Sequence, residues 1–238
     1  MGFVKGRAIA NNIWLAKEFY QDLDVRVRGR NFILNMDIDK AYKNIDWNSI
    51  YNILHLFGFN SVFIKLIKNC IKNVYFFIIV NGYSNGFFKS SHGLRQGDPI
   101  LPVLFIIIVE FLSKGITNLF ENTPSLYFRM LGGFPISHLC FANNFIVFTN
   151  AYVNRIHKLM NFFDQFEMVS GLSLNKNKCY FVTSKRVPND HVLAIKDLTG
   201  FMHGQLPMKY LGVAIFKGHK KTFLFYDLIT SIQNKFLS

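Results

Sequence analysis

Ser137-His138-Leu139-Cys140-Phe141-Ala142-Asn143-Asn144-Phe145-Ile146-Val147-Phe148-Thr149 is the stretch on which the fold turns. Residues 137–141 and 145–149 are short apolar runs, and Ala142-Asn143-Asn144 between them has turn composition, so the segment reads as a β-hairpin with two amides at its tip. Upstream, residues 31–38 form another apolar strand that ends on Asp37, inside Asn35-Met36-Asp37-Ile38-Asp39-Lys40-Ala41-Tyr42. Between strand and hairpin lies Gly93-Leu94-Arg95-Gln96-Gly97-Asp98-Pro99.

Outward from these segments the chain alternates strands with helices. Residues 9–20 read as an amphipathic helix with Ile13, Leu15, Ala16 and Phe19 on one face. Residues 47–72 read as two helices with a bend near Gly58 and Asn60. Residues 74–80 lead into Asn81-Gly82, a hairpin turn signal, and residues 86–89 return from it. Asp98 and Pro99 suit the cap and first position of a helix whose Val103–Phe111 stripe is core. Residues 153–169 place Ile156, Leu159, Met160, Phe163 and Phe166 on one face and stop at Gly171. Residues 209–213 read as a strand. The fold class expected is α+β, an antiparallel sheet with helices packed on one side.

Composition narrows the function classes. Half of the 238 residues are apolar and 27 are Phe, which excludes a disordered chain. Lys and Arg number 27 against 14 Asp and Glu, a net charge of +13 spread along the chain, which suits a polyanionic partner. Cys70, Cys140 and Cys179 show neither zinc spacing nor a disulfide framework, so they are expected as buried thiols in a reducing compartment. No targeting signal is recognised, and the longest apolar run, residues 99–112, is too short to span a bilayer, so no membrane partner is expected. His92 and His138 lack metal-ligand spacing and read as structural; Asp39 and Asp46 read as surface or capping groups.

The ordered segments resemble the reverse transcriptase of plant non-LTR (LINE-type) retrotransposons. Lys5-Gly6-Arg7-Ala8-Ile9-Ala10-Asn11-Asn12-Ile13 resembles the opening helix of that family, and Asp37 with Lys40-Ala41-Tyr42 its first catalytic motif. Residues 81–88 lead into residues 93–99, which follow the second motif almost letter for letter. Ile136-Ser137-His138-Leu139 precedes the catalytic hairpin. Gly171-Leu172-Ser173-Leu174-Asn175-Lys176-Asn177-Lys178 and Lys209-Tyr210-Leu211-Gly212 match the later motifs.

The resemblance implies a polymerase palm with partial fingers (1–35), palm with an inserted fingers portion (36–212) and the start of a thumb (213–238), in one reverse transcriptase domain, 1–238. It implies RNA-directed DNA polymerisation by two Mg2+ ions, with an RNA template, a DNA primer and deoxynucleoside triphosphates as partners, in a monomer. Asp37 and position 143 would be metal ligands, and position 144 the second hairpin carboxylate. The Ile38 carbonyl would also face a metal. Tyr42 would lie under the incoming sugar; Arg95, Gln96 and Gly97 would face substrate, the last two against the template and nascent pair. Lys178 would protonate departing pyrophosphate, and Lys209, Tyr210, Leu211 and Gly212 would begin the primer grip. Cytoplasm or nucleus follows by family only.

The sequence departs from the family where it matters. Asn143 and Asn144 stand in place of aspartates, His92 in place of arginine, Leu101 in place of serine, and Lys43 in place of an acidic residue. An inactive polymerase that keeps its fold is therefore expected. The alternatives are a non-catalytic RNA- or DNA-binding palm module and an organellar intron maturase-like RNA-binding protein.

Overall fold

A computed structural model describes residues 6, 8–39, 43–72, 74–90, 92–94, 97–132, 134–218 and 222–237. The chain divides into two units, Met1–Asp37 with Gly115–Asn161 and Asn175–Ser238, and Ile38–Lys114 with Phe162–Leu174.

The first unit is built on strand β1 (Asn31–Asp37), whose first six residues are all buried. A strand buried without alternation needs cover on both faces, and β1 has it. It lies at the centre of a five-stranded sheet with β4 (His138–Phe141), β5 (Asn144–Asn150), β6 (Tyr180–Thr183) and β7 (Met202–His203), in the order β4-β5-β1-β6-β7. All pairings are antiparallel except β6–β7. On one face Ile33, Ile146, Phe148, Leu139 and Val182 pack with Ala16, Phe19 and Tyr20 of helix α1 (Ile9–Gln21). On the opposite face Phe32, Leu34, Met36, Phe145, Val147 and Phe181 are also buried. The sheet is thus covered on both sides, not on the one side expected.

The second unit holds α2 (Trp47–Leu56), α3 (Ser61–Lys72) and the hairpin β2 (Tyr75–Val80) and β3 (Tyr83–Lys89). Asp46 caps α2 by accepting the Ser49 N–H at 2.8 Å, the capping role expected for it. The Trp47 indole N–H donates to the Gly93 carbonyl at 2.7 Å, and the Gly93 N–H donates to the Ile45 carbonyl at 2.9 Å. Strand β3 starts three residues earlier than expected, because Asn81 and Gly82 alone make the turn.

Helices α4 (Leu101–Glu121) and α5 (Val153–Ser170) each contribute residues to both units. Helix α4 begins later than the Asp98-Pro99 signal suggests: Asp98 caps a turn by accepting the Ile100 N–H at 3.1 Å, and the helix follows. It also continues through Ser113-Lys114-Gly115 to Glu121, so at 21 residues and mean hydropathy 1.9 it is long and apolar enough to cross a membrane. The apolar segment therefore extends beyond residues 99–112, the run expected to be too short to span a bilayer. Leu104, Phe105, Ile108, Leu112, Ile116 and Phe120 of α4 are nonetheless buried inside the protein, as in a core helix. Ile156, Leu159, Phe163 and Phe166 of α5 are buried in the spacing the sequence shows.

Helix α6 (Asn189–Thr199) and the hairpin β8 (Met208–Tyr210) and β9 (Val213–Ile215) complete the first unit, with α7 (Tyr226–Leu237) at its end. Residues 209–213 are therefore two strands about a Leu211-Gly212 turn, not one strand. Cys140 and Cys179 are buried as expected, whereas Cys70 is exposed on α3.

Candidate active site

Asp37 reaches its position because it is the last residue of β1 and the first there to emerge from the core. The neighbouring strand delivers the hairpin residues to the same place, since Asp37 pairs with Asn144 in the β1–β5 register. The turn is shorter than the sequence suggests. Only Ala142 and Asn143 form it, and Asn144 is the first residue of β5. Ala142 sits at φ +53, a left-handed conformation that costs an alanine energy and that a two-residue hairpin turn demands.

The side chains form a relay of amides. Asn144 Nδ2 donates to Asn143 Oδ1 at 3.1 Å, and Asn143 Nδ2 donates to Asp37 Oδ2 at 3.1 Å. Turning the Asn143 amide over would set acceptor against acceptor at the carboxylate, so the observed orientation is the favourable one. Lys178 Nζ lies 3.7 Å from Asp37 Oδ1; the lysine side chain is 65% exposed and the aspartate 14%. An ion pair so open to water contributes about 1 kcal/mol at most. Behind the carboxylate, the Asn175 N–H donates to the Asp37 carbonyl at 2.8 Å, and Cys179 Sγ lies 3.9 Å from the same oxygen. No local pattern marks a residue that supports a backbone carbonyl from 138 or more positions away in sequence.

Magnesium takes hard oxygen donors and is held by carboxylates. Two of the groups turned toward the Asp37 carboxylate are an amide N–H, with its partial positive charge, and an ammonium group. Among the described residues no three His, Cys, Asp or Glu side chains gather into a set that would hold a metal ion. Among the described residues, those at this site do not supply the carboxylates that a pair of divalent cations requires.

The remaining sequence-derived residues are placed as follows. Ile38 is buried and stands opposite Leu174 in an isolated antiparallel bridge. The bonds of that bridge are made by flanking residues, Asp39 N–H to the Ser173 carbonyl among them, so the Ile38 carbonyl is turned away from it. Gly97 is exposed in the second unit. Tyr42, Arg95 and Gln96 lie outside the described residues. Lys209 is exposed on β8, Leu211 and Gly212 form the β8–β9 turn, and Tyr210 is buried with the α1 face of the sheet. Burial raises the Tyr210 phenol well above its ordinary range and pushes Tyr180 up to about 12. On β4, burial pushes the His138 imidazole down to about 4, and its Nδ1 lies 2.9 Å from Ser137 Oγ. His138 is thus a neutral structural group at pH 7.

The sequence pattern described as "Reverse transcriptase (RNA-dependent DNA polymerase)" matches residues 1–215. The chain belongs to the reverse transcriptase family. Within it, the sequence is of the non-LTR retrotransposon kind. It is 24% identical over 190 residues to the Retrovirus-related Pol polyprotein from type-2 retrotransposable element R2DM of Drosophila melanogaster, covering 76% of this chain and 17% of that protein. It is 26% identical over 163 residues to the corresponding type-1 element R2 polyprotein of Popillia japonica, covering 68% of this chain and 26% of that protein. The chain therefore spans about a quarter or less of the curated polyproteins it matches. An uncharacterized mitochondrial protein of Arabidopsis thaliana is 39% identical over 71 residues, 29% of this chain and 58% of that one.

Solved structures give the same fold. Apo telomerase from Candida tropicalis, truncated from its C-terminal domain, superposes with a TM-score of 0.56 at 15% identity, over 76% of this chain and 36% of that one. Telomerase from Candida albicans in complex with a fragment of telomeric RNA gives 0.59 at 12% identity, over 88% and 33%. The β4-β5-β1-β6 sheet is thus a polymerase palm, and the expected α+β class stands.

Proposed function

We propose that this reverse transcriptase domain comes from a plant LINE-type element and keeps the palm without the ability to polymerise. The observation that carries this reading is the 3.1 Å bond from Asn143 Nδ2 to Asp37 Oδ2. Nucleotidyl transfer by this family depends on carboxylates that hold two metals against the primer hydroxyl and the triphosphate. An aspartate at position 143 would repel Asp37 until a cation intervened; the asparagine satisfies Asp37 directly. Losing that unit charge weakens the hold on a cation by about 4 kcal/mol at ~4 Å and an effective dielectric near 20, on the order of a thousandfold in occupancy. Asn is well tolerated at hairpin turns, so the fold survives the exchange.

The substrates follow from the family: an RNA template, a DNA primer and deoxynucleoside triphosphates, with Mg2+ as the metal of an active relative. In that scheme Ile38, Tyr42, Arg95, Gln96 and Gly97 line the nucleotide and template, Lys178 faces the leaving group, and residues 209–212 approach the primer. The layout proposed is partial fingers over 1–35, palm over 36–212 and the start of a thumb beyond. The net charge of +13 supports a second reading of the same chain, a nucleic-acid-binding module without catalysis.

The test is magnesium-dependent primer extension on an RNA template by the unaltered chain and by its Asn143→Asp, Asn144→Asp double variant. Extension by the double variant alone is expected. Extension by the unaltered chain would refute the reading.

A further inference from the structure

At the far end of β1 from Asp37, a cleft of 690 Å³ is lined by Val27, Arg28, Arg129, Asn150, Tyr152, Asn154 and Arg155. Its volume falls within the ~300–1,000 Å³ of ordinary ligand sites. The lining holds three arginines and no acidic residue. Among the described residues no carboxylate pairs with Arg28, Arg129 or Arg155. The β1–β5 ladder, from Asn31 opposite Asn150 to Asp37 opposite Asn144, separates this cleft from the candidate active site by roughly 20 Å.

Buried polar side chains hold the arginine-bearing segments in place. Asn31 and Asn150, each almost fully buried, face each other in the register. Asn31 Nδ2 donates to the Arg129 carbonyl at 2.9 Å and to the Asp22 carbonyl at 3.0 Å, while Asn31 Oδ1 accepts the Arg129 N–H at 3.1 Å. Asn150 Nδ2 donates to the Ser125 carbonyl at 2.6 Å and the Leu126 carbonyl at 3.2 Å. The loop after Arg28 is tied to the sheet by the Ala151 N–H, which lies 3.1 Å from the Gly29 carbonyl and 2.9 Å from that of Arg30. Tyr152 packs its ring so closely on Gly29, at φ +95, that a Cβ there would overlap the ring. The Arg155 guanidinium lies over the same ring, 4.4 Å from its centroid. The backbone behind Arg28 and Arg129 is therefore fixed before any ligand arrives, which limits the ordering cost of binding.

Arg155 also breaks a local rule. It lies in the first turn of α5, where the helix presents positive charge, and no acidic residue occupies that turn. Cations gathered at a helix N-terminus repel one another and the dipole, and an anion relieves both.

We propose that this cleft binds phosphate groups of a nucleic-acid backbone. Guanidinium forks match phosphate oxygens bidentately, and a protein of the reverse transcriptase family with a net charge of +13 works on polynucleotides. The assignment uses the family membership but not the reading of Asn143 and Asn144. It adds an anchoring point on the palm end opposite the candidate active site.

The test is fluorescence anisotropy of a short labelled single-stranded RNA with the full 238-residue chain, titrated at several salt concentrations. Arg28 and Arg129 are exposed, so Arg28→Gln with Arg129→Gln leaves the core intact. The double variant should weaken binding at least about tenfold and reduce the slope of log K against log salt by about 1.4, the share of two phosphate contacts on a single strand. The Arg28→Lys, Arg129→Lys pair, which keeps the charge but not the fork, should restore the salt slope and only part of the affinity. Arg186→Gln with Lys196→Gln, also exposed and matched in charge, should leave affinity within about twofold. Equal losses in both Gln pairs would mean diffuse attraction and overturn the proposal, as would unchanged RNA binding in the cleft variant. Titration with inorganic phosphate separates the two sources of the anion: loss of phosphate binding without loss of RNA binding would overturn the polynucleotide assignment. None of these outcomes bears on primer extension by the position 143 and 144 variant.

Discussion

Asn143→Asp offers a measurement of what the amide does for this fold. In metal-free buffer at pH 7 the substitution removes a hydrogen bond to a charged acceptor, at 3.1 Å, which is worth about 1.5–3 kcal/mol. It also sets a second carboxylate against Asp37, whose side chain is only 14% exposed. Two unit charges ~4 Å apart repel by roughly 4 kcal/mol at an effective dielectric of 20. Protonating an ordinary carboxylate at pH 7 costs about the same, so neutralisation offers no cheaper escape there. Lys178 offsets about 1 kcal/mol at most, being largely in water. With some relaxation of the turn, the variant should be about 3–5 kcal/mol less stable than the unaltered chain in EDTA, read from urea denaturation. At pH 5 the protonation escape costs only about 1.5 kcal/mol, so the deficit should shrink. The sign follows from linkage: crowded carboxylates hold protons more tightly folded than unfolded, and the penalty fades as pH falls. Mg2+ at pH 7 should restore the variant and leave the unaltered chain unmoved. Equal stability of the two proteins in EDTA, or equal stabilisation of both by Mg2+, would refute the reasoning.

Two other perturbations test the surrounding fold. His138 titrates near 4 in the folded protein against an ordinary 6.5, because burial disfavours its charged form; the unfolded chain therefore takes up the proton first, and up to roughly 3 kcal/mol of stability is lost as pH falls from 6.5 to 4. In His138→Gln that part of the stability–pH curve should flatten, and an unchanged slope would assign it elsewhere. Gly93→Ala places a methyl 2.5 Å from the Lys43 carbonyl oxygen at φ +76, and should cost about 2–4 kcal/mol in urea denaturation by strain and overpacking. A loss under 1 kcal/mol, within the range of an ordinary surface change, would mean that the turn yields freely.

Elements whose stability is local in origin could be read from the sequence. Four of the five stripe residues of α5, all but the half-buried Met160, and the apolar run of β1 are buried where the sequence pattern places them. Motif order puts Asp37 and Asn143 at one site, and they meet in space through the β1–β5 register. What escaped depends on partners distant in sequence. Asn144 counts as strand because Phe141 and Asp37 pair with it, although its residue type favours a turn. Tyr210 is buried because α1 covers it, and Cys70 is exposed because its side of α3 is uncovered. Asn31 and Asn150 carry no sequence signal of their role, and only the fold shows them buried and bonded to the loops beneath the arginine cleft.

The central position of β1 also sets how long the candidate site keeps its shape. All seven residues of the strand pair with β5, and Phe32 to Asn35 pair with β6 as well. Amides bonded in the middle of a sheet exchange with solvent only when the whole unit opens, whereas those of a hairpin such as β2–β3, exposed throughout β3, exchange through small local openings. Asp37 is attached to the central strand of the sheet, whose amides should exchange more slowly than those of the hairpin. The backbone that carries its carboxylate is therefore anchored on a longer timescale than the turn that carries Asn143.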